Sequence, residues 1–353
     1  MTRQPMRIGL LASVDRHIDA FFLRMIDQWE SRGAEVSIAT GDAAPESDRL
    51  LVPHLNRRPG FESFRALREL RRWRSEQDVV LTNTAVASAL VRMTRSDTPL
   101  VYFAHGLHWN SSTGLRTLPW RMIEGALLKR TAGIIVLNDE DDNWVRPRYS
   151  GPIRRLAFGV GLDVSHFSRR DPIVDPVLRL VWLGEFSERK RPLHAVLMAS
   201  RLKQAGVPFT LEMWGWGGLH NKVAQAIHEA DLDAEVTLPG FGESSDAIGK
   251  AHAVVHTATW EGLPRTILEA SALGRPTFGY DVKGVRGAPA TITVPDGDHA
   301  ALARQVLSTW SAGALQRPAP NLPSPSDLDD RRAADQVLDL LDEVVGSGVP
   351  RHA

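Results

Sequence analysis

The chain has no cysteine among its 353 residues. A disulfide framework, a thiolate metal site and a cysteine nucleophile are therefore excluded, and a reducing cytoplasm is compatible with the composition. Neither sign of charge is in excess. The 42 basic residues match 42 acidic ones, for a formal net charge of zero. That balance argues against a bulk nucleic-acid binder and leaves room only for local basic patches. Long apolar runs are missing too. No segment offers the roughly twenty uninterrupted apolar residues of a spanning helix. The opening MTRQPMRIGLLASVDRH carries too short an apolar stretch for a secretory leader. These absences lead to the expectation of a chain that is soluble or peripheral on a membrane, with the cytoplasm as its expected location.

What is present is an alternation. MRIGLLAS, AEVSIAT, DVVLTNT, PLVYFAH and GIIVLN read as strands, and HIDAFFLRMIDQWESRG reads as an amphipathic helix closed by Gly33. The strand runs are continuously apolar rather than alternating, as in parallel strands buried on both faces. The charged, proline-bearing stretch HFSRRDPIVDP, residues 166–176, breaks the pattern, which then restarts. LRLVWLG, FTLEMWG, EVTLPG, AVVHTA and PTFGYD are strands, with helices at PLHAVLMASRLKQAG, NKVAQAIHEADL and PRTILEASALG. The fold class is α/β, with two doubly wound Rossmann-like domains. The expected boundaries are 1–166, 177–322 and a last segment, 323–353, that follows RPAPNLPSPS and packs back on the first domain.

The segment WEGLPRTILEASALGRP holds Glu261 and Glu269, eight residues apart. Pro264 suits the first helical position, Gly274 ends the helix and Pro276 follows. A glycine-bearing turn that feeds a helix N-terminus favours an anion, diphosphate included. Carboxylates beside such a site serve better as acceptors for ribose or sugar hydroxyls. On spacing alone, a solvated Glu269 on a surface helix is the favoured reading, because charged residues are rarely fully buried.

EGLPRTILEASALGRP resembles the E-x7-E signature of the retaining GT-B glycosyltransferases of family 4. ASVDRHIDAF, FAHGLHW, LLKRTAGIIVLNDED, FGVGLD, GEFSERKRP and DVKGVRG follow in family order over most of the chain. The set resembles a subgroup that transfers N-acetylated hexosamines in capsule, exopolysaccharide and lipid-linked oligosaccharide assembly. The resemblance implies two Rossmann-like domains facing across a cleft, a UDP-sugar donor bound by the second, and a saccharide or polyprenyl-diphosphate-linked acceptor bound by the first. It implies no cofactor and no metal.

Roles follow from the same resemblance. Glu269 accepts from the ribose hydroxyls and Glu261 lies near the donor sugar's ring hydroxyls. Gly262, Leu263 and Pro264 line the sugar and diphosphate pocket with backbone, and Lys190 is the phosphate lysine. Glu185 stands where many family members have an arginine. That leaves a second phosphate cation open between Arg189 and Arg191, with Arg189 preferred. His105 faces the donor sugar, while Arg16 and His17 contact the acceptor or a phosphate. Helix capping by Asp15 with exposed neighbours is the competing reading of that loop.

Several strings invite other readings. His108 lies three residues past His105 but has no convergent carboxylates for a metal. NDEDDNW, residues 138–144, fits the N-terminus of a helix better than a D-x-D metal motif. WGWGG, residues 214–218, does not match the dinucleotide pattern. Residues 57–74, RRPGFESFRALRELRRWR, hold seven arginines against two glutamates. They read as a core helix with arginines in water that also touches anionic headgroups or a polyprenyl diphosphate, and residues 114–130 add a second contact. The rival functions are a sugar-nucleotide epimerase or phosphorylase on the same fold, a non-catalytic nucleotide-sugar-binding partner, and a soluble transferase acting on a small metabolite.

Overall fold

The computed structural model describes residues 5–43, 47–53, 55, 65–107, 109 and 117–347. The chain forms two compact units, Met1–Gly161 with Asp330–Ala353, and Leu162–Asp329.

In the first unit the chain runs β1 (Arg7–Leu11), α1 (Asp15–Phe21), α2 (Leu23–Ser31), β2 (Glu35–Thr40), β3 (Leu50–Leu51), α3 (Ala66–Ser75), β4 (Val79–Thr82), α4 (Ala85–Met93), β5 (Leu100–Phe103), α5 (Leu118–Leu128), β6 (Gly133–Val136), α6 (Asp139–Val145) and β7 (Ile153–Arg155). The second unit holds β8 (Leu178–Leu183), α7 (Pro192–Gln204), β9 (Phe209–Trp214), α8 (His220–Glu229), β10 (Val236–Gly240), α9 (Ser244–Gly249), β11 (Ala253–His256), α10 (Arg265–Ala272), β12 (Thr277–Tyr280), β13 (Thr291–Val294), α11 (His299–Ser311) and α12 (Pro325–Leu328). The last helix, α13 (Asp330–Gly346), returns to the first unit and packs on α2, β4, β6 and β7.

Both sheets are parallel and doubly wound. Their orders are β3-β2-β1-β4-β5-β6-β7 and β10-β9-β8-β11-β12-β13. Every strand read from the sequence is present; β4, β5, β6, β11 and β12 are buried on both faces, as such runs encode, whereas β2, β9 and β10 are partly exposed. In β6 the two faces are distinct. A Cβ at Gly133 would meet Val344 and Leu340 of α13, whereas Ile134 belongs to the core that includes Leu128 of α5.

Three readings change locally. The helix foreseen over 17–33 is two helices meeting at Phe22, whose φ of −123° leaves the helical region. Pro264 is the N-cap of α10, with extended ψ, not its first helical residue. Asp15 does not cap α1. Val14 holds the cap position without a side-chain cap bond, and the Asp15 carboxylate takes Arg49 at 2.7 Å. The NDEDDNW string does open a helix, α6, where the Asn138 side chain accepts from the Asp141 N–H at 2.9 Å. His108 and residues 57–64 and 114–116 lie outside the described residues.

Arg92 ties α4 to α5. Its fully buried guanidinium makes two bonds to Glu124, at 2.6 and 3.1 Å, and lies 4.4 Å above the Tyr102 ring. A buried pair stabilises little over an apolar replacement, but breaking it strands a charge. Arg92→Ala is expected to lower unfolding free energy by about 3 kcal/mol. The double change Arg92→Met with Glu124→Leu should recover most of that loss. Urea midpoints of the two variants check the pair of outcomes.

Candidate active site

In open parallel sheets, ligands bind beyond the carboxyl ends of strands where the strand order reverses. In the second unit that point lies between β8 and β11, which pair directly. The loop after β8 supplies Arg189 and Lys190, and the loop after β11 supplies Glu261. The backbone zips these loops together. Thr259 N–H donates to the Arg189 carbonyl at 2.8 Å, and the Thr257 hydroxyl reaches the carbonyls of Lys190 and Arg191 at 2.8 and 2.9 Å. The Trp182 indole N–H, buried beneath, donates to the same hydroxyl at 2.9 Å.

The side chains then converge. Lys190 Nζ is 2.6 Å from Glu261 Oε1, and Arg189 Nη1 is 2.8 Å from Oε2. Burial alone would raise the Glu261 carboxyl. The facing Lys190 and Arg189 outweigh it and hold the group below its ordinary value. At neutral pH the cluster is therefore two cations sharing one carboxylate, with a positive surplus. Arg189 also lies 5.4 Å from the Trp260 ring, whose other cation neighbour, Lys283 Nζ, is at 5.3 Å. Gly284 closes this corner. At φ +76°, a Cβ there would fall 2.4 Å from the Glu261 carbonyl oxygen, a contact that no side chain tolerates.

Arg191 turns away from the cluster. It holds a left-handed conformation, φ 47°, at the N-cap of α7. Its guanidinium pairs with Asp296 at 2.6 Å and lies 5.1 Å from the Tyr280 ring. Of the two arginines left open by the sequence, Arg189 is the one that joins Lys190.

Gly262, Leu263 and Pro264 lead from Glu261 straight into α10, so the positive end of that helix opens beside the cation pair. Glu269 is buried on α10 and accepts from Arg265 Nε at 3.0 Å, one helical turn earlier. The sequence reading of a solvated Glu269 therefore does not hold. Among the described residues, no group of three or more His, Asp or Glu side chains is placed to hold a metal ion.

The first unit gathers His17 and His105, with ring centroids 4.9 Å apart. His105 follows β5, stacks on Phe103 at 4.4 Å and is edged by Phe21 and Phe22. Burial, then the neighbouring His17, pushes the His105 imidazole well below its usual value, so it is neutral at physiological pH. Arg16, one residue before His17, is exposed on α1.

One site residue escaped the sequence reading. His256 ends β11, is buried, and has Nε2 3.7 Å from Glu261 Oε1. Burial and the adjacent Lys190 press it down to about 3. The signal was available. AVVHTATW places a histidine at the carboxyl end of a strand, just as VYFAHGLHW does for His105.

The fold defines an α/β scaffold of the GT-B kind, two parallel-sheet Rossmann-like domains. The family models agree. The "Glycosyl transferase 4-like domain" matches residues 18–161 and "Glycosyl transferases group 1" matches 178–311, so the chain belongs to the GT4-like, group 1 glycosyltransferases. Among curated proteins, it is 28% identical over 165 residues to WcaL of Escherichia coli K12, provisionally assigned as a colanic acid biosynthesis glycosyltransferase. It is 27% identical over 165 residues to the amylovoran biosynthesis glycosyltransferase AmsK of Erwinia amylovora. Each match covers 42% of this chain and spans 40% of the relative's length. Among solved structures, sucrose-phosphate synthase from Thermosynechococcus elongatus superposes with a TM-score of 0.76 at 17% identity, covering 97% of this chain and all of that one. Anabaena HepE, solved with UDP, gives 0.75 at 14% identity, covering 96% of this chain and all of that one.

Proposed function

We propose that the chain transfers a sugar from a UDP-sugar, bound by the second unit, to a hydroxyl of a saccharide or polyprenyl-diphosphate-linked acceptor bound by the first. The product belongs to a cell-surface polysaccharide, and the protein works in the cytoplasm at an anionic membrane surface. An N-acetylated hexosamine is the sugar, and the anomeric configuration is retained. The observation that carries the reading is the Lys190–Glu261–Arg189 cluster at the strand-order reversal, beside the opening of α10. The neighbour HepE, which was solved with UDP and with UDP and glucose, supports the choice of donor.

In this mechanism, donor diphosphate competes with Glu261 for Lys190 and Arg189. Before the donor arrives, Glu261 holds the two cations in place and lowers the cost of keeping them side by side. As the glycosidic bond to the diphosphate lengthens, negative charge builds on the leaving oxygen. Lys190, Arg189 and the α10 dipole stabilise that charge. Gly262 to Pro264 present backbone to the sugar. His105, neutral in the first unit, is available there as a hydrogen-bonding group and brings no positive charge. No bound metal is required.

The ribose role of Glu269 has a direct test. Glu269→Ala removes a charged acceptor, and such hydrogen bonds are worth about 1.5–3 kcal/mol. The Kd for UDP, measured by calorimetry, is therefore expected to rise at least about tenfold. An unchanged Kd in a folded variant removes the ribose assignment. Transfer itself is tested by UDP release from a panel of UDP-sugars with and without lipid-linked saccharides. Epimerised or free sugar without acceptor dependence would instead identify the epimerase reading.

A further inference from the structure

His256 stands where β11 has no need of it. The strand is buried along its whole length, and a leucine there would fill the space without stranding a polar atom. Strand register fixes the ring. His256 pairs with Gly279 of β12, where a Cβ would come 3.0 Å from the His256 carbonyl oxygen and 3.2 Å from Val285. The His256 side chain is only 3% exposed, and its Nε2 has no hydrogen-bond partner among the described residues. A ring nitrogen left unpaired at that depth opposes folding, so packing does not account for the residue.

Nε2 faces Glu261 Oε1 across 3.7 Å, just beyond hydrogen-bond range. That oxygen is held by Lys190 Nζ at 2.6 Å, and Oε2 by Arg189 Nη1 at 2.8 Å. The Glu261 backbone is tied down as well, its N–H donating to the Lys283 carbonyl at 2.9 Å. Only the carboxylate is left to move. A turn of less than about 1 Å brings Oε1 to the about 2.7–3.2 Å of an N–H···O bond. Burial and the adjacent Lys190 hold the imidazole far below its usual value, so at neutral pH it has one N–H to give and is no base.

We propose that His256 is a positioning residue that takes over Glu261 when the donor diphosphate draws Lys190 and Arg189 away. Nε2–H then donates to Oε1, and the carboxylate stays aimed at the sugar's ring hydroxyls while both cations serve the phosphates. Without this second donor, the exchange would strand a buried carboxylate, and the diphosphate would have to offset the whole of that cost. The inference rests on the donor site of the proposed function and adds to it the group that makes the exchange of partners feasible.

Calorimetry with UDP and steady-state transfer at neutral pH test it. His256→Leu should raise the UDP Kd and the donor KM about tenfold, the typical effect of removing a hydrogen bond to a charged group. The fall in kcat should be smaller, because the exchange is complete before the glycosidic bond lengthens. The urea midpoint of this variant should equal or exceed that of wild type, since leucine strands no polar atom. His256→Gln, which carries an amide N–H to a similar depth, should recover most of the affinity. In a Glu261→Gln background, His256→Leu should change the UDP Kd by no more than about twofold, because a neutral amide needs no substitute for its cations. A Leu variant that binds UDP as wild type does, a Gln variant no better than Leu, or the full loss in the Glu261→Gln background each overturns the proposal. So does a urea midpoint that falls in step with affinity in both variants, which assigns the residue to packing. Wild type that binds no UDP condemns the donor site and this role with it, whereas UDP binding indifferent to residue 256 condemns this role alone.

Discussion

Lys190→Ala is expected to cut turnover by about 10²–10³, the usual cost of one preorganised donor to a developing anion. The same change should destabilise the second unit by about 3 kcal/mol, because it removes one partner of a buried pair. The side chains of Lys190 and Glu261 are only 15% and 11% exposed, so water cannot replace the lost contact. What remains is a buried carboxylate held by Arg189 alone. Burial then drives Glu261 upward toward protonation, reversing the balance that now keeps it ionised. Adding Glu261→Gln to Lys190→Ala removes the stranded charge and should restore much of the stability while leaving turnover low. The split between the two readouts is the signature. UDP release under saturating donor reports the chemistry, and urea denaturation reports the pair. Full turnover in Lys190→Ala would remove the phosphate role. Equal instability in the double variant would show that the lysine stem, not its charge, matters.

The sequence revealed the sheets far better than the site. Short continuous apolar runs such as VVLT and GIIV, β-branched and bounded by polar turns, read as strands covered on both sides. The strands that escaped are short or half exposed. Leu50–Leu51 is two exposed residues, Ile153–Arg155 has no buried residue, and Thr291–Val294 buries only Val294, so none carries a run to recognise. Arg74 of α3 is buried, although the sequence reading left the arginines of that helix in water. It was legible in principle, because it falls on the Ala66–Leu70–Trp73 stripe. Residue type overrode the period in reading it. Within the site, the E-x7-E spacing placed Glu261 and Glu269 at one helix, yet could not show that each carboxylate already has a cation. Lys190 lies 71 positions before Glu261 and reaches it only because β8 and β11 are neighbours. The sequence reading preferred Arg189 to Arg191 without a geometric ground; the structure adds that Arg191, at φ 47°, pairs with Asp296 while Arg189 pairs with Glu261.

His256 should make the second unit lose stability between neutral pH and pH 5. In the folded state its imidazole is pressed down to about 3 by burial and by Lys190, against about 6.5 when unfolded. Above pH 6.5 both states are neutral there and no penalty exists. Below it the unfolded chain binds a proton that the folded chain refuses, so unfolding gains about 1.4 kcal/mol per pH unit until the folded value is reached. From 6.5 to 5 this amounts to about 2 kcal/mol from one side chain. Glu261 does not blur the window. Its depressed carboxyl contributes stability that is lost only as pH falls below its ordinary value near 4.5. His194 and His252, also lowered by burial, act in the same direction, so the slope of the unit exceeds one proton. His256→Asn isolates the share of this residue. It cannot ionise, and the urea midpoint of the second unit should fall less between pH 6.5 and 5 than in wild type. An identical fall in both proteins would mean that the His256 ring takes its proton while folded. Two cations would then have to accept a third beside Glu261, the arrangement its 3.7 Å approach to that carboxylate does not stabilise enough to allow.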